Sequence, residues 1–545
     1  MVYERYTGRM HGKLKAAADI YSKLIFAKVG ELSDAVYLDT AEHFRSVPAE
    51  GWQPLEKGRR WGGEWQNMWV AGKAVVPAEA AGKKLYAVSN ANAVEILFFV
   101  NGKPCGIFNS KNDFIGAMHS AELITADAKE GDVYDLAFEC YAGHFCAGTA
   151  PYANYGRDAA PNAEFMRTYE GINLCVMDEL VKDFVFDLTT LLQLAQRLPA
   201  NDFLRGKAQN TLEKVYGALI QYPLHYSSEE WHASLAECRE IMADALAHTE
   251  ADKSRGYVGI LGHSHMDTAW LWPISETIRK CARTYANALS LMEQYPEYKF
   301  IQSSALHLDW MRRYYPDIFE GIKRRTAEGR YEPNGGVWVE CDCNITSGEA
   351  MVRQFLKGQR FTRKYLGYTS DCFWLPDTFG YNAAIPQIMR ESDVSYFYTT
   401  KMSWNDLNSF PHDTFRWKGL DGSEVLTHFN LMHRFPDADN IIGAVDSIRN
   451  KQVFDGKLLA YGFGDGGGGP TYGMLEQARR ASDLCGMPKV ETTTVSDFMK
   501  KIEAEAVNLP VYDGELYLEL HRGTLTQMHD IKRGNRKAEI ALHDM

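Results

Sequence analysis

The sequence predicts an α/β protein in which a largely parallel β/α domain follows a β-sandwich and leads into helical, polar sequence at the chain's end. Three observations carry this reading. Beyond Tyr257, short β-rich runs alternate with helical ones; between residues 48 and 186, short apolar runs are separated by turn residues; and residues 187–250 show helical periodicity. Alternating strands and helices imply βαβ units around a parallel sheet, open or closed into a barrel.

Residues 1–47 read as a helical segment, because Leu14, Ala18, Tyr21, Leu24 and Ile25 recur at helical spacing. In the 48–186 sandwich, Val94 to Val100, then Asn101-Gly102, then Cys105 to Phe108 give a strong hairpin signal. Residues 187–250 form a helical connector, with Leu188, Leu191, Leu192, Leu194 and Ala195 on one face and Pro199 and Pro223 as breakers. The β/α domain spans 251–510. Its strands are expected at Tyr257 to Leu261, Tyr298 to Gln302, Val337 to Val339, Cys372 to Leu375, Val394 to Thr399, Val425 to Phe429 and Leu458 to Phe463. In such sheets the working residues sit just beyond the carboxyl ends of strands.

Composition narrows the function. A chain of 545 residues allows several buried cores at roughly 150 residues per domain. A net charge of −12 argues against nucleic acid, whose affinity comes from clustered Lys and Arg. There is neither an apolar leader in Met1 to Lys15 nor an apolar run long enough for a membrane helix, so a cytoplasmic protein without a membrane partner is expected. The ten cysteines are scattered singly, which suits reduced thiols. The 12 Trp, 29 Tyr and 26 Phe suit sugar stacking and large cores equally.

Four constellations carry candidate chemistry. The first, after the strand at Tyr257, holds His263, His265 and Asp267, then Trp270 and Trp272. If the chain stays extended, 263, 265 and 267 share a face, and imidazole with carboxylate suits Zn²⁺; a capped turn with core aromatics is the plain alternative. The second is Trp374-Leu375-Pro376-Asp377-Thr378-Phe379-Gly380, where Asp377 either binds metal, acts as a nucleophile, or caps a helix beginning near Ala383. The third, Gly464-Asp465 and four glycines in all from Gly466 to Gly469, presents a carboxylate on a loop that lacks the Lys-Ser/Thr of a phosphate loop. The fourth offers His521. Between them, Glu332 to Glu349 is dense in acceptors, including Glu340 and Asp342, that suit sugar hydroxyls or a solvated loop. Aspartates at strand ends supply the two carboxyl groups a retaining glycosidase needs.

At these residues the sequence resembles glycoside hydrolase family 38, the α-mannosidases, from about residue 50 to the end. Gly262-His263-Ser264-His265-Met266-Asp267-Thr268-Ala269-Trp270-Leu271-Trp272-Pro273 resembles the family's first zinc motif. The resemblance implies His265, Asp267, Asp377 and His521 as ligands of Zn²⁺, with Co²⁺ or another divalent ion as the alternative, because softness and geometry overlap. It implies Asp377 as nucleophile, Asp465 as general acid/base, and Trp338, Glu340 and Asp342 near the substrate, a mannose-containing oligosaccharide, for whose ring the aromatic side chains of Trp270 and Trp272 offer an apolar wall. It also implies a seven-stranded β/α barrel-like catalytic domain, with residues 511–545 holding its last segment and the start of a helical bundle. Family members normally continue into C-terminal β domains, so this chain is expected to be a truncated form, and a homo-oligomer is compatible with it. Two other readings are a zinc-dependent polysaccharide deacetylase and a non-catalytic carbohydrate-binding fragment.

Overall fold

The computed structural model describes residues 2–109, 119–143, 165–247, 251 and 253–545; the stretches of the expected sandwich at 110–118 and 144–164, and residues 248–250 and 252 of the expected connector and domain start, lie outside the described residues. The helix expected over residues 1–47 is Val2–Ser22 only, with Leu14, Ala18 and Tyr21 buried. Phe26–Glu31 and Ser33–Thr40 are strands instead. Their conformation is set by partners far along the chain, Ile172–Met177 and Asn67–Val75, which local periodicity does not reveal.

Two antiparallel sheets make the sandwich. One runs Phe26–Glu31, Ile172–Met177, Leu85–Ser89 and Ala121–Thr125; the other runs Gln53–Pro54, Ser33–Thr40, Asn67–Val75, Val133–Tyr141, Glu95–Val100 and Lys103–Asn109. The expected hairpin is there, turned by Asn101 (φ 51°) and Gly102 (φ 76°), the left-handed pair that a tight two-residue connection requires. Helices follow at Glu179–Arg197, Phe203–Ala218 and Ser228–Met242. The first starts eight residues before the expected 187, because the side chain of Asp178 accepts from the Val181 amide and caps it.

The β/α region is built on two sheets. Tyr331–Glu332, Phe300–Ile301, Tyr257–His263, Gly456–Tyr461 and Leu431–Arg434 are parallel in that order, with Lys489–Thr492 also pairing with the first half of Tyr257–His263. Cys372–Trp374, Tyr396–Thr399 and Glu424–Phe429 form a second parallel set, extended by the antiparallel Thr414–Lys418 and by Val511–Asp513. A single seven-stranded closed barrel is therefore not what the backbone ladders form among the described residues. Side chains occupy the seams instead. Asn334 donates to Glu332 and Asp371 and accepts from the Cys372 amide, and the His428 ring accepts from the Leu458 amide. The strand expected at Val337 to Val339 reduces to one bridge, Ser304 to Val337, since the amides of Trp338 and Val339 are taken by Gln354. One core nonetheless spans the sheets, with Leu261, Ile301 and Leu458 from the first against Trp374, Tyr398 and Leu426 from the second.

The helix Ile274–Gln294 joins this region to the sandwich. Trp69, Leu97 and Phe99 pack on Ile278, Cys281 and Tyr285, and beside them lies a buried ionic cluster. Arg279 meets Glu139 at 3.1 Å and Glu276 at 2.8 Å, Arg283 meets Glu95 at 2.5 Å and Glu276 at 2.7 Å, and Lys280 pairs with Glu95. Removing one member strands a buried charge, which costs about 3–5 kcal/mol. Arg279→Met is therefore expected to lower the thermal midpoint of unfolding clearly, while the same change at the exposed Arg353 leaves it unmoved.

Candidate active site at the strand ends

The strand Tyr257–His263 is buried throughout, and the chain leaves regular structure just past it. His263 takes a different partner from His265 and Asp267. Its Nε2 accepts from Trp374 Nε1 at 3.1 Å, inside the core. His265 is 4% exposed; its Nε2 lies 3.5 Å from Asp267 Oδ1 and 3.5 Å from Asp377 Oδ2, and its Nδ1 lies 3.2 Å from Glu340 Oε2. Glu340 is fixed in turn by Ser303 Oγ at 2.6 Å. A carboxylate at one ring nitrogen orients the ring and leaves the other for a ligand.

Asp377 does not cap the following helix. That helix is Ile385–Arg390, and the Ala384 amide that leads into it is bound by Asn382. Asp377 Oδ1 instead meets Lys401 Nζ at 2.8 Å. Burial pushes the Asp377 carboxyl up, but the charges of His265 and Lys401 outweigh burial and hold it below the usual range. At His265 burial opposes the cation, and the carboxylates of Glu340 and Asp267 outweigh it and raise the imidazole well above its ordinary value.

Asp465 stands on the loop after Gly456–Tyr461, itself in the left-handed region (φ 50°). The loop reaches the site because it lacks side chains where it is crowded. A Cβ on Gly462 would stand 2.2 Å from the His263 carbonyl, and one on Gly464 would stand 2.0 Å from His433 Nε2. The Gly466 amide donates to the His265 carbonyl at 3.3 Å, which ties the two motifs together. Gly462→Ala is accordingly expected to destabilise the fold and empty the soluble fraction on expression, since the clash is with backbone and φ is 132°.

His265, Asp267 and Asp465 each offer a ligand atom, all within 4.8 Å of one another. His265 Nε2 and Asp267 Oδ2 are buried without a hydrogen-bond partner. Buried polar atoms of this kind call for a counterpart, and an imidazole beside carboxylates has the donor chemistry for a divalent metal.

The remaining expected residues are distributed unevenly. His521 lies outside that trio, exposed, with its ring 4.7 Å from Phe379, and it feels the charges of Lys401 and Asp377. Trp270 is 49% exposed with its ring 5.7 Å from that of Trp272, which is buried and donates to Thr277. Trp338 packs edge-on against Phe361. Asp342 is exposed and its carboxylate accepts the amides of Asn344 and Ile345, which makes it a turn former.

Two residues at the site were not singled out by sequence. Lys401 follows the strand Tyr396–Thr399 and was accessible to the same strand-end rule. His433 sits on a bulge between Met432 and Arg434 with φ 58°, a placement without local signal. A cavity of about 250 Å³ opens beside Asp465, lined by His433, Arg434, Phe435 and Met474. A larger one of about 530 Å³, lined by Arg197, Gly256 and Asp455, lies at the opposite, amino end of the strand Tyr257–His263.

Residues 256–515 match the glycosyl hydrolases family 38 N-terminal domain, and residues 36–154 match the alpha-mannosidase jelly roll domain. Alpha-mannosidase 2C1 of Homo sapiens is 34% identical over 505 residues, covering 92% of this chain and 47% of that protein. Alpha-mannosidase G of Dictyostelium discoideum is 33% identical over 540 residues, covering 96% and 47%. An alpha-mannosidase of Saccharomyces cerevisiae is 40% identical over 337 residues, covering 57% and 31%. The chain thus spans about half the length, or less, of the curated relatives it matches. Among the described residues no helix is long and apolar enough to cross a membrane. With its β/α region and its sandwich both matched, and with the strand-end carboxylates gathered around His265, the chain carries the N-terminal domain of the family 38 glycosyl hydrolases behind an alpha-mannosidase jelly roll domain.

Proposed function

We propose that the chain hydrolyses terminal α-D-mannose from oligosaccharides, with retention at the anomeric carbon. The observation that carries this is the convergence of Asp267 and Asp377, each 3.5 Å from a buried His265, with Asp465 on the adjoining loop. His265 and Asp267 would hold Zn²⁺ with Asp377, and His521 would complete the set. When bound, the ion supplies a Lewis acid that orients sugar hydroxyls and offsets developing charge.

In the first half-reaction a carboxylate oxygen of Asp377 bonds to the anomeric carbon as the glycosidic C–O bond breaks, and Asp465 gives its proton to the leaving oxygen. In the second, Asp465 takes a proton from water, whose oxygen bonds to the anomeric carbon and releases Asp377 and mannose. The depressed Asp377 suits the first role, because a nucleophile must be ionised. The cavity at Asp465, with Phe435 and Arg434 at its edge, suits the second by giving the leaving group somewhere to sit. Trp270 supplies an exposed ring for the sugar face.

Lys401 keeps Asp377 charged and aimed. Lys401→Met is expected to lower kcat on p-nitrophenyl α-mannoside by on the order of 10²-fold, as loss of one preorganised charge does. The function itself is tested by p-nitrophenol release from that substrate, with chelator and with zinc restored. Chelator-sensitive hydrolysis is expected. Acetate release from an acetylated glycan without glycosidic cleavage, or mannose binding without turnover, overturns it.

A further inference from the structure

We infer that the β-sandwich takes part in catalysis at one remove, through Asn109, a positioning residue that holds the loop carrying Asp465. The inference rests on the reading of Asp465 as proton donor. Gly466 to Gly469 have no side chains to anchor them, and glycine backbone loses more conformational freedom on ordering than any other. A carboxylate immediately before such a stretch keeps its place only if other groups fix the backbone.

Within the loop, Phe463 and Gly469 exchange two hydrogen bonds of 3.0 and 2.9 Å, and the Gly467 amide donates to the Gly464 carbonyl. Those bonds shape the loop without attaching it. Attachment begins at its near end, where the Ser264 hydroxyl donates to the Phe463 carbonyl and the Gly466 amide to the His265 carbonyl; beyond Gly466 it comes from two asparagines. Asn287, on the helix Ile274–Gln294, donates to the carbonyls of Gly468 at 2.8 Å and Pro470 at 2.9 Å. Asn109, the last residue of the sandwich strand Lys103–Asn109, donates from Nδ2 to the Gly467 carbonyl at 3.0 Å.

The sandwich is built to present that donor. The Asn109 amide donates to the His119 carbonyl at 3.1 Å, and the His119 amide donates to Asn109 Oδ1 at 2.9 Å, which fixes the orientation of the carboxamide. The same domain closes over the next glycine. A Cβ on Gly468 would meet Ile107 Cδ1 at 2.7 Å and His119 Nε2 at 3.0 Å. The buried pairing of Glu95 with Arg283 and Lys280 holds the two domains together beside it, and the Lys280 chain also lies 2.8 Å from where a Gly466 Cβ would stand. A proton donor displaced by about 1 Å loses on the order of 10²-fold in rate, so an anchor two residues away matters to the chemistry.

The test uses the zinc-loaded chain. Asn109→Asp keeps the acceptor for the His119 amide and removes the donor to Gly467; Asn109→Ala removes both and stands in if the aspartate variant does not fold. Asn101→Ala, in the hairpin turn of the same domain, is the control. Two quantities are read: hydrogen exchange of the 463–470 peptide, and kcat on p-nitrophenyl against methyl α-mannoside, the poor leaving group needing its proton most. The expected result is exchange about tenfold faster in that peptide only, with kcat on the methyl glycoside falling by about tenfold more than on the p-nitrophenyl glycoside and KM unchanged. Unchanged exchange, or equal loss on both substrates, overturns the inference. Asp465→Asn separates it from the parent reading: if that variant shows no leaving-group discrimination, Asp465 is not the proton donor, and the inference falls with that reading even if exchange shows the loop loosened.

Discussion

Asp377→Ala is expected to reduce hydrolysis of p-nitrophenyl α-mannoside by at least about 10⁴-fold, the scale seen when a covalent nucleophile is deleted. The carboxylate has no substitute in the site. Asp267 and Glu340 are both turned toward His265, and Asp465, within 4.8 Å of His265 and Asp267, is the proposed proton donor. The truncation also leaves Lys401, 7% exposed, without its carboxylate, so part of the loss would come from a rearranged pocket. Asp377→Asn separates the two effects, since it preserves shape and removes the anionic oxygen. If Asp377 is the nucleophile, both variants lose turnover alike, and near-normal hydrolysis by either removes the assignment. A burst of p-nitrophenol in the wild-type chain with an activated leaving group, absent in both variants, would report the glycosyl-enzyme directly.

The site was legible where one local rule sufficed. His265, Asp267, Asp377 and Asp465 each follow a short apolar run, and each of those runs is a strand: Tyr257–His263, Cys372–Trp374 and Gly456–Tyr461. Spacing within a strand was not enough to decide orientation. His263 lies two residues from His265 and yet faces Trp374, because the strand ends between them. What sequence could not supply came from distant partners. Glu340 looked like a sugar ligand, and its carboxylate sits at His265 Nδ1, contributed by a segment whose backbone is held by Gln354 and Ser304. His433 owes its place to a bulge on a four-residue strand, too short to register as a period.

The fold shows the same division. The hairpin at Asn101-Gly102 and the succession of strands were readable because each is encoded within a few residues. Whether the parallel strands close was not, because closure depends on seams. At one seam Asn334 substitutes its amide for a ladder, and at the other His428 reaches the Leu458 amide, so single side chains from distant segments stand where backbone pairing is absent. The strands at residues 26–40 were missed for a related reason. They pair with residues some 16 to 150 positions away, and local helical periodicity ended only a few residues before them.

His265→Ala is expected to abolish both bound metal and hydrolysis, the second large effect. In the proposed donor set His265 is the buried imidazole, and its removal leaves Asp267, Asp377 and Glu340 as carboxylates around an apolar gap, with Lys401 the counter-charge at Asp377. Bound zinc, measured on the purified chain, should fall from one equivalent to near none, and activity by at least about 10³-fold, since chemistry and orientation are lost together. Glu340→Gln gives the graded comparison. It keeps the first set of donors and weakens only the group behind the ring, so metal affinity should drop by about 10–100-fold and excess zinc should restore much of the rate. Restoration for Glu340→Gln and none for His265→Ala is the pattern that identifies His265 as a ligand and Glu340 as the group that aims it. A His265→Ala chain that still holds one zinc and turns over would move the metal elsewhere and leave the buried Nε2 of His265 to be explained by a different partner.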